Sequence, residues 1–439
     1  MSSLPPGPKN FLALMYSYFR DPIGCMVPVA KKYGDPFTLP GNPSTVVTGD
    51  PAGIKAIYSA DSDTFSPLNQ DMSVFLGKHS MILQSGAEHK RSRRLMMPPF
   101  HGQRMRAYGE TMGRLAKEQT DNWTKGQEVA TYEVAQRISL DVIMQVIFGV
   151  SDPAQKEALS KQMVELLNGI SPLVAMFPAL RREFGGIGPF ARFRRLQHAM
   201  YENLAALIRT AREGKPGENI LNLLIEARYE GDQPLSDEEI RDQLVLMVIA
   251  GHETTGIAVA WALYALHRPE NAAVLEKLRA ELDTLGKDWD LAAMDKLPYL
   301  EAVCQETLRR YPLAPAPAPR KLLRPMEFMG YSLEPGMAVS AAIGLVHFRE
   351  ELYPDPWTFK PERFLERKFS PFEYIPFGGG ARRCLGAAMA SYEMRLVLGT
   401  IMKRFRLRLA SLKSDTGKIR AANVGPASGV QMIVEERLS

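Results

Sequence analysis

The sequence contains few cysteines. Its 439 residues include only Cys25, Cys304 and Cys384, an odd number of widely separated thiols. They lack the close paired spacing of a zinc site, and they do not form the framework of a disulfide-rich domain. Such cysteine usage is typical of a protein of the reducing cytoplasm.

The chain also lacks a long apolar run at its start and a dense run of basic residues. The N-terminus, which begins Met-Ser-Ser-Leu-Pro-Pro-Gly-Pro-Lys, contains neither a signal-peptide core nor an apolar span of about 20 residues that could cross a bilayer. The net charge of +5 is spread evenly, without the basic and aromatic clusters of a nucleic-acid platform. We expect a soluble cytoplasmic protein with no membrane anchor and no nucleic-acid partner.

Repeats, low-complexity tracts and Ser/Gly-rich linkers are absent as well. Hydrophobic residues make up 45% of the chain, enough for a large core. Helical periodicity runs from Met105 to Val150 and, with interruptions, to about Glu230. Turn signals predict a hairpin around Gly41-Asn42-Pro43 and short strands over 322–339 and 405–434. Asp50 followed by a proline predicts a helix start.

A long helix is predicted behind Ser236. Ser236 and Glu239 form a capping box before an apolar run that ends at Pro269, which gives roughly 31 residues and about 45 Å. The segment 244–251 is apolar on every side and is therefore predicted to be buried. His252-Glu253-Thr254-Thr255 follows, and these polar groups predict a notch in the helix that holds ordered water.

One cysteine stands in an unusual loop, Phe377-Gly378-Gly379-Gly380-Ala381-Arg382-Arg383-Cys384-Leu385-Gly386, before another apolar helical run. A thiol at a helix N-terminus faces the positive end of the helix dipole, which favours the thiolate. Glycines let the backbone fold closely under the sulfur. Such a thiolate is a nucleophile or a soft metal ligand, and a buried structural cysteine beside a turn is the alternative.

The pattern Phe-x-x-Gly-x-Arg-x-Cys-x-Gly in this loop resembles the haem-binding loop of the cytochrome P-450 monooxygenases. The resemblance implies that Cys384 is the thiolate ligand of iron in haem b (iron protoporphyrin IX), held in part by Phe377, Gly378 and Gly386. It also implies one large, mainly α-helical domain with a small β-rich lobe, and with haem between the long helix and the Cys-loop helix. The β-rich lobe is expected at about 36–60, 315–345 and 405–439, and the helical lobe mainly at 70–312 and 384–404.

A second segment, Ala250-Gly251-x-Glu253-Thr254-Thr255, resembles the oxygen-binding segment of the same family. By that likeness Thr254 hydrogen-bonds iron-bound dioxygen, Glu253 relays protons, and Gly251 leaves room for oxygen beside Ala250 at the cofactor. A core helix with a polar kink is the alternative, and the mid-helix acid makes a membrane span a poor one. His252 receives no role.

Haem propionates require cationic or hydrogen-bonding partners. His89 and Arg93 lie four residues apart and resemble the family's propionate-binding pair, although many relatives have Trp where His89 stands. Arg320 and Arg382 are the other matches. Each of the four is individually as compatible with a solvated charge.

Glu306 and Arg309, three residues apart on one helix face, resemble the first two members of the family's Glu-Arg-Arg triad. Arg363, in Pro361-Glu362-Arg363-Phe364, would be the third. We expect this network to fix the proline-rich segment beneath the haem and to have no catalytic role.

The implied activity is the insertion of one oxygen atom from O2 into a C–H bond or an alkene of a lipophilic substrate, such as a fatty acid, terpenoid or polyketide. Electrons would come from a separate ferredoxin or flavodoxin, because 439 residues leave no room for a reductase module. The protein is expected to be a monomer. A basic patch that suits an acidic partner, or equally a plain solvated surface, is formed by Lys90, Arg91, Arg94 and Arg383.

Substrate-facing segments are placed only by the family analogy, at 65–83, 163–193, Ile249, 313–318 and 427–430. The apolar lining residues within them are Leu76, Met81, Leu173, Met176, Phe177, Ala314 and Ala316. Two other classes of function stay open. One is a peroxide-driven haem-thiolate peroxygenase, and the other is a non-enzymatic haem sensor or binding protein; Glu253 and Thr254 argue against both.

Overall fold

The structure is a computed structural model that describes residues 4–61, 63–67, 72–100, 102, 104–171, 174, 178–215, 217–315, 319–420 and 423–438. It divides into two compact units. The mixed unit comprises Met1–Leu68, Met112–Gln136 and Thr254–Ser439, and the helical unit comprises Asn69–Thr111 and Arg137–Glu253. The single domain expected from the sequence stays a prediction.

The helices of the first half of the chain are α1 (Phe11–Arg20), α2 (Met26–Tyr33), α3 (Pro51–Ser59), α4 (Ser73–Leu76), α5 (Gly86–Met96), α6 (Arg104–Thr120), α7 (Thr131–Val142), α8 (Pro153–Asn168), α9 (Pro189–Glu213) and α10 (Ile220–Glu226). Those of the second half are α11 (Asp237–Gly251), α12 (Thr254–Leu266), α13 (Ala272–Asp283), α14 (Leu291–Met294), α15 (Pro298–Arg310), α16 (Ile343–Val346), α17 (Arg363–Glu366) and α18 (Ala387–Arg404).

The strands are β1 (Phe37–Leu39), β2 (Thr45–Thr48), β3 (Phe65–Pro67), β4 (Glu128–Ala130), β5 (Arg320–Leu322), β6 (Met326–Phe328), β7 (Tyr331–Leu333), β8 (Ala338–Ala341), β9 (Phe405–Leu409), β10 (Gly417–Arg420), β11 (Asn423–Pro426) and β12 (Gln431–Arg437). They form a five-stranded sheet in the order β1-β2-β8-β5-β3, a three-stranded sheet β4-β12-β9, and the pairs β6-β7 and β10-β11. All of these strands belong to the mixed unit.

The local predictions about caps and turns are confirmed. β1 and β2 form the expected antiparallel hairpin. The Asp50 carboxylate accepts hydrogen bonds from the first amides of α3, which begins with Pro51. Ser236 and Glu239 form the complete capping box of α11. Each cap satisfies N–H groups that the first helical turn leaves without partners.

The long helix exists, but it is interrupted. α11 ends at Gly251, residues 252–253 form a turn, and α12 continues to Leu266, shortly before Pro269. Within the described part of the chain, Asp237–Leu266 is the one helix long and apolar enough to cross a membrane, and 61% of its most apolar window is buried in the protein. A buried core helix meets the same criterion.

A buried charge network holds the meander, which we define as residues 349–376. Arg309 binds Glu306 through two parallel hydrogen bonds of 2.7 and 2.8 Å, and both side chains have 0% exposure. Glu306 also accepts from the backbone of Lys360 (2.8 Å), and Arg363 approaches it at 3.3 Å. Arg363 donates in turn to the carbonyl of Pro354 (3.0 Å). The predicted Glu-Arg-Arg network is therefore present, and it ties α15 to the meander.

His347 connects this network to the cysteine loop. Its carbonyl accepts from Arg309 (2.8 Å), and its Nε2 accepts from the amide of Ile375 (3.0 Å), two residues before the loop begins. The imidazole stacks on Tyr374 and meets the edge of Tyr353. Burial, assisted by the nearby Arg309 guanidinium, lowers the pKa of His347 to about 3. His347 is therefore neutral in the folded protein.

This buried histidine predicts acid sensitivity. Because its folded pKa of about 3 lies below the ordinary value of 6.5, its contribution to stability is complete above pH 6.5 and is lost as the pH falls toward 3. The loss between pH 6.5 and 5 should be roughly 2 kcal/mol. In urea unfolding, His347→Gln should be less stable at pH 7 but should show a shallower fall on acidification. His198→Gln, at an exposed position, should keep the wild-type slope; equal slopes for all three proteins would contradict the prediction.

Candidate haem-thiolate site

Of the three cysteines, only Cys384 is exposed. Burial raises the pKa of both Cys25 and Cys304 to about 12, so those two thiols stay protonated and inert. The Cys384 amide donates to the carbonyl of Phe377 (2.9 Å), which closes the loop, and α18 begins three residues later. Among the described residues, no group of three or more His, Cys, Asp or Glu side chains could hold a metal ion. Cys384 is thus the one accessible thiol among the three cysteines.

The loop rests directly on Tyr58, a residue that the sequence analysis did not identify. A Cβ atom added to Gly379 would lie 2.1 Å from the Tyr58 ring, and one added to Gly380, which has φ +63°, would lie 2.3 Å from the Tyr58 carbonyl oxygen. Only glycine permits this approach. Burial raises the pKa of Tyr58 to about 12, so a neutral ring supports the loop. A tyrosine in α3 has no sequence signal that connects it to residues more than 300 positions away.

Arg320, at the start of β5, is also joined to this loop. It donates to the carbonyl of Gly379 (3.2 Å), and its guanidinium lies 5.2 Å from the centre of the Tyr58 ring. Burial lowers the pKa of Arg320, but from so high a value that the side chain stays charged. Arg382 is half-buried in a 3₁₀ turn, Gly380–Arg382, of the same loop. Two of the four predicted propionate ligands therefore lie on or against the cysteine loop.

The other two predicted propionate ligands lie in the helical unit. His89 and Arg93 are one turn apart in α5; His89 is buried and Arg93 is half-buried. The remaining basic residues of α5 face outward. Arg94 forms an ion pair with Glu230 (2.8 Å), and Arg91 lies over the ring of Tyr229 at 4.4 Å. Lys90 and Arg383 are exposed. The ion pair with Glu230 neutralises the charge of Arg94, one of the four residues of the predicted basic patch.

The interruption of the long helix is built into its surroundings. The Ser139 hydroxyl donates to the carbonyl of Gly251 (3.1 Å), the last residue of α11. A Cβ atom on Gly251 would lie 3.3 Å from Ile143, so this end of the helix packs closely. The hydroxyl satisfies a carbonyl that the missing helical turn leaves without its usual partner. The predicted notch is therefore stabilised by Ser139, a residue that was not predicted from the sequence.

The solvent exposure of side chains in α11 and α12 is highest at the interruption and at the charged start of α11. α11 and α12 are mostly buried, but Ala250 is exposed and residues 251–254 are half-exposed. Glu253 lies in the turn, and Thr254 is the first residue of α12. Burial lowers the pKa of His252, which is therefore neutral at pH 7. The acid and hydroxyl of the predicted oxygen-binding segment thus lie at an accessible break in a core helix.

The predicted substrate segments are only partly described. Leu76 and Met81 are buried, and Ala314 is half-buried. Val430 is a β-branched residue with φ +52°, which is an unusual and strained backbone conformation. The Thr131 hydroxyl donates a hydrogen bond to the Val430 carbonyl (2.8 Å). Leu173, Met176, Phe177 and Ala316 lie outside the described residues.

Comparisons with known proteins define the class. The family model described as Cytochrome P450 matches residues 2–424. Two relatives from Mycobacterium tuberculosis are "Putative cytochrome P450 135A1", 31% identical over 100% of this chain and 97% of the relative, and "Putative cytochrome P450 135B1", 32% identical over 98% and 91%. The solved structure of retinoic-acid-bound cyanobacterial CYP120A1 is similar with a TM-score of 0.86 at 24% identity, covering 100% of both chains.

The fold and the match together define a haem-thiolate monooxygenase class. This chain belongs to the cytochrome P450 family, as its cysteine loop suggested. The expected mainly helical architecture with small sheets is confirmed. The family implies a haem cofactor, and the residues present fit it: an exposed thiol, a glycine loop packed too tightly for side chains, and a half-buried arginine bound to that loop.

The packing under the loop predicts different costs for two glycines. Gly379→Ala places a Cβ against the Tyr58 ring and should destabilise the protein by roughly 1–3 kcal/mol, as overpacking does. Gly386 has φ −84° and open space within 4 Å of an added Cβ. Gly386→Ala should therefore leave the thermal unfolding of the haem-free chain nearly unchanged. Thermal unfolding monitored by circular dichroism checks this, and equal shifts for both variants would contradict the close contact.

Proposed function

We propose that this protein uses haem b, with Cys384 as its axial ligand, to insert one atom of O2 into a lipophilic substrate by hydroxylation or epoxidation. The observation that carries the proposal is the exposed Cys384 thiol in a glycine loop packed on Tyr58, whereas Cys25 and Cys304 are buried. Bound haem supplies the activation of oxygen and its transfer to carbon. The protein chain supplies binding, orientation and protons.

We assign cofactor binding to the residues that the family resemblance predicts. Phe377, Gly378 and Gly386 would shape the loop around the sulfur, and Ala250 would contact the cofactor. The propionates would be bound by His89, Arg93, Arg320 and Arg382. The contact of Arg320 with the Gly379 carbonyl supports this, because a fixed cation beside the loop favours an anionic sulfur and anionic carboxylates alike.

Proton delivery is assigned to Glu253 and Thr254. The break between α11 and α12 supports the assignment, because it frees backbone groups and exposes a stretch that is otherwise buried. Glu253 would hold a proton at its carboxyl oxygens and pass it to the Thr254 hydroxyl, which both accepts and donates hydrogen bonds. His252, neutral beside them, is not needed for this transfer.

The proposed substrate is a lipophilic molecule, and the proposed electron donor is a separate redox protein. The similar protein CYP120A1 was solved with retinoic acid bound, and that ligand is a lipophilic terpenoid acid. A fatty acid, terpenoid or polyketide substrate is in line with the apolar residues predicted to surround the site. A ferredoxin or flavodoxin would deliver electrons to a cytoplasmic, monomeric enzyme, and the exposed Lys90 and Arg91 could steer such an acidic partner.

Removal of the sulfur ligand tests the central assignment. Cys384→Ser should abolish the thiolate type of carbon-monoxide difference spectrum, because an alcohol oxygen does not replace the thiolate at iron. Cys25→Ser provides the matched control, since this thiol is buried and protonated. A Cys384→Ser protein that keeps the wild-type spectrum would exclude Cys384 as the ligand.

The role of Thr254 is tested by the coupling efficiency, which is the amount of product formed per NAD(P)H consumed. Thr254→Ala should lower the product formed per NAD(P)H consumed, with a surrogate ferredoxin system, by about tenfold or more, because the hydroxyl that passes protons is lost. Thr254→Ser retains the hydroxyl and should restore most of the coupling. If wild-type protein turns over with hydrogen peroxide alone and Thr254→Ala does not alter that rate, the peroxygenase alternative replaces the proposal.

A further inference from the structure

In the helical unit, the segment Gly77–Gln84 is bound to α11 by two buried side chains of that helix. The Asp242 carboxylate, with 0% exposure, accepts a hydrogen bond from the His79 amide (3.0 Å). The Gln243 amide, with 3% exposure, donates to the His79 carbonyl (2.6 Å) and accepts from the Met81 amide (3.1 Å). We call Asp242 and Gln243 the clamp. It pairs with backbone groups of a segment that has little regular structure of its own.

The negative charge of Asp242 in the clamp is balanced by the neighbouring Arg241. Arg241 donates two hydrogen bonds, of 3.0 and 2.8 Å, to one oxygen of Asp242, which leaves the other oxygen for His79. The Arg241 guanidinium also lies 4.1 Å from the centre of the Tyr201 ring on α9. A buried carboxylate with an ion-pair partner and an amide donor is satisfied. Replacing it with a shorter or neutral group weakens a defined set of contacts.

The segment fits the clamp only because it contains a glycine at one position. Gly77 has φ +81°, and a Cβ atom there would lie 2.1 Å from the Asp242 carboxyl carbon. Lys78 adds an ion pair with Glu238 (3.2 Å) at the segment's outer side. The contacts of Gly77, His79 and Met81 thus place the segment along α11 in one register.

The helix face that carries the clamp also leads to the predicted oxygen-binding segment. Gln243 and Ala250 are seven residues apart, so they share a face of α11 and lie about 10 Å apart along its axis. Between them Leu246 is half-exposed, and Ala250 is exposed. In the clamped segment, Ile82 has 50% exposure although its neighbour Met81 is buried. Apolar surface is therefore accessible both on the clamped segment and along the helix toward Ala250.

We propose that Asp242 and Gln243 are positioning residues for substrate specificity, which fix Gly77–Gln84 over the face of α11 leading to Ala250 and thereby set the shape of lipophilic molecule that fits there. This inference rests on the proposed function, because the proposed function assigns Ala250 to the cofactor site. Both residues bind backbone groups of the segment. Their effect is exerted through the backbone of His79 and Met81.

The test compares ligand binding in holoenzyme variants with the mobility of the segment. Asp242→Asn and Gln243→Leu should speed hydrogen exchange of peptides that contain residues 77–84. They should weaken the binding of clotrimazole, a bulky azole, by about fivefold or more, because the wall it contacts must be ordered on binding. The binding of imidazole, which is small, and the carbon-monoxide spectrum should stay unchanged, whereas general misfolding would alter all three.

Two further variants keep the test decisive. Gly77→Ala drives a Cβ into the Asp242 carboxylate from the other side and should reproduce the same selective loss, even if Asp242→Asn folds poorly. Asp237→Asn, on the exposed start of α11 where it pairs with Arg212 (2.7 Å), is the matched control and should change nothing.

The outcomes separate this inference from the proposed function. Faster exchange of residues 77–84 with an unchanged ratio of clotrimazole to imidazole affinity would overturn the positioning role. Unchanged exchange in both clamp variants would show that the contacts do not hold the segment, which overturns it as well. Wild-type protein that takes up no haem would instead refute the proposed function, before any variant is compared.

Discussion

The mixed unit depends on one buried carboxylate, Glu306. Two nitrogens of Arg309 neutralise it, and its oxygens also receive the Lys360 amide and the Arg363 guanidinium. Breaking such a buried set costs about 3–5 kcal/mol, because an uncompensated charge would be left inside the protein. Through the carbonyl and ring of His347 the same network reaches Ile375 and so fixes the approach to the cysteine loop. The position of the cysteine loop therefore depends on buried charge pairs that lie outside it.

The proposed functional residues lie where regular secondary structure is interrupted. The cysteine loop has only one short 3₁₀ turn and rests on Tyr58 through its glycines, and the long core helix is interrupted at residues 252–253, next to Thr254. In both places a partner distant in sequence supports the irregular backbone: Tyr58 supports the loop, and the Ser139 hydroxyl binds the carbonyl at the end of α11. Irregular backbone is expensive to bury unless its polar groups are satisfied. These partners therefore allow the irregular sites to persist.

Much of this arrangement could be predicted locally. The capping box of Ser236 and Glu239, the Asp50 cap and the hairpin of β1 and β2 follow from signals within a few residues, and each is present. The helix was expected to open near His252, and it does. What sequence reasoning missed were contacts between distant residues, since Tyr58, Ser139 and Asp242 carry no pattern that announces their partners. Side-chain type predicts which groups need a partner but does not say where that partner lies.

The sequence by itself determined the family, the thiolate candidate and the acid–alcohol pair, because these depend on the order and spacing of a few residue types in short segments. Only the tertiary structure decided which of three cysteines is accessible, which glycines have no room for a Cβ, and which segment the buried acid of α11 holds. Those properties arise from packing between residues far apart in the chain. Burial and close contact are collective quantities, and a linear pattern does not contain them.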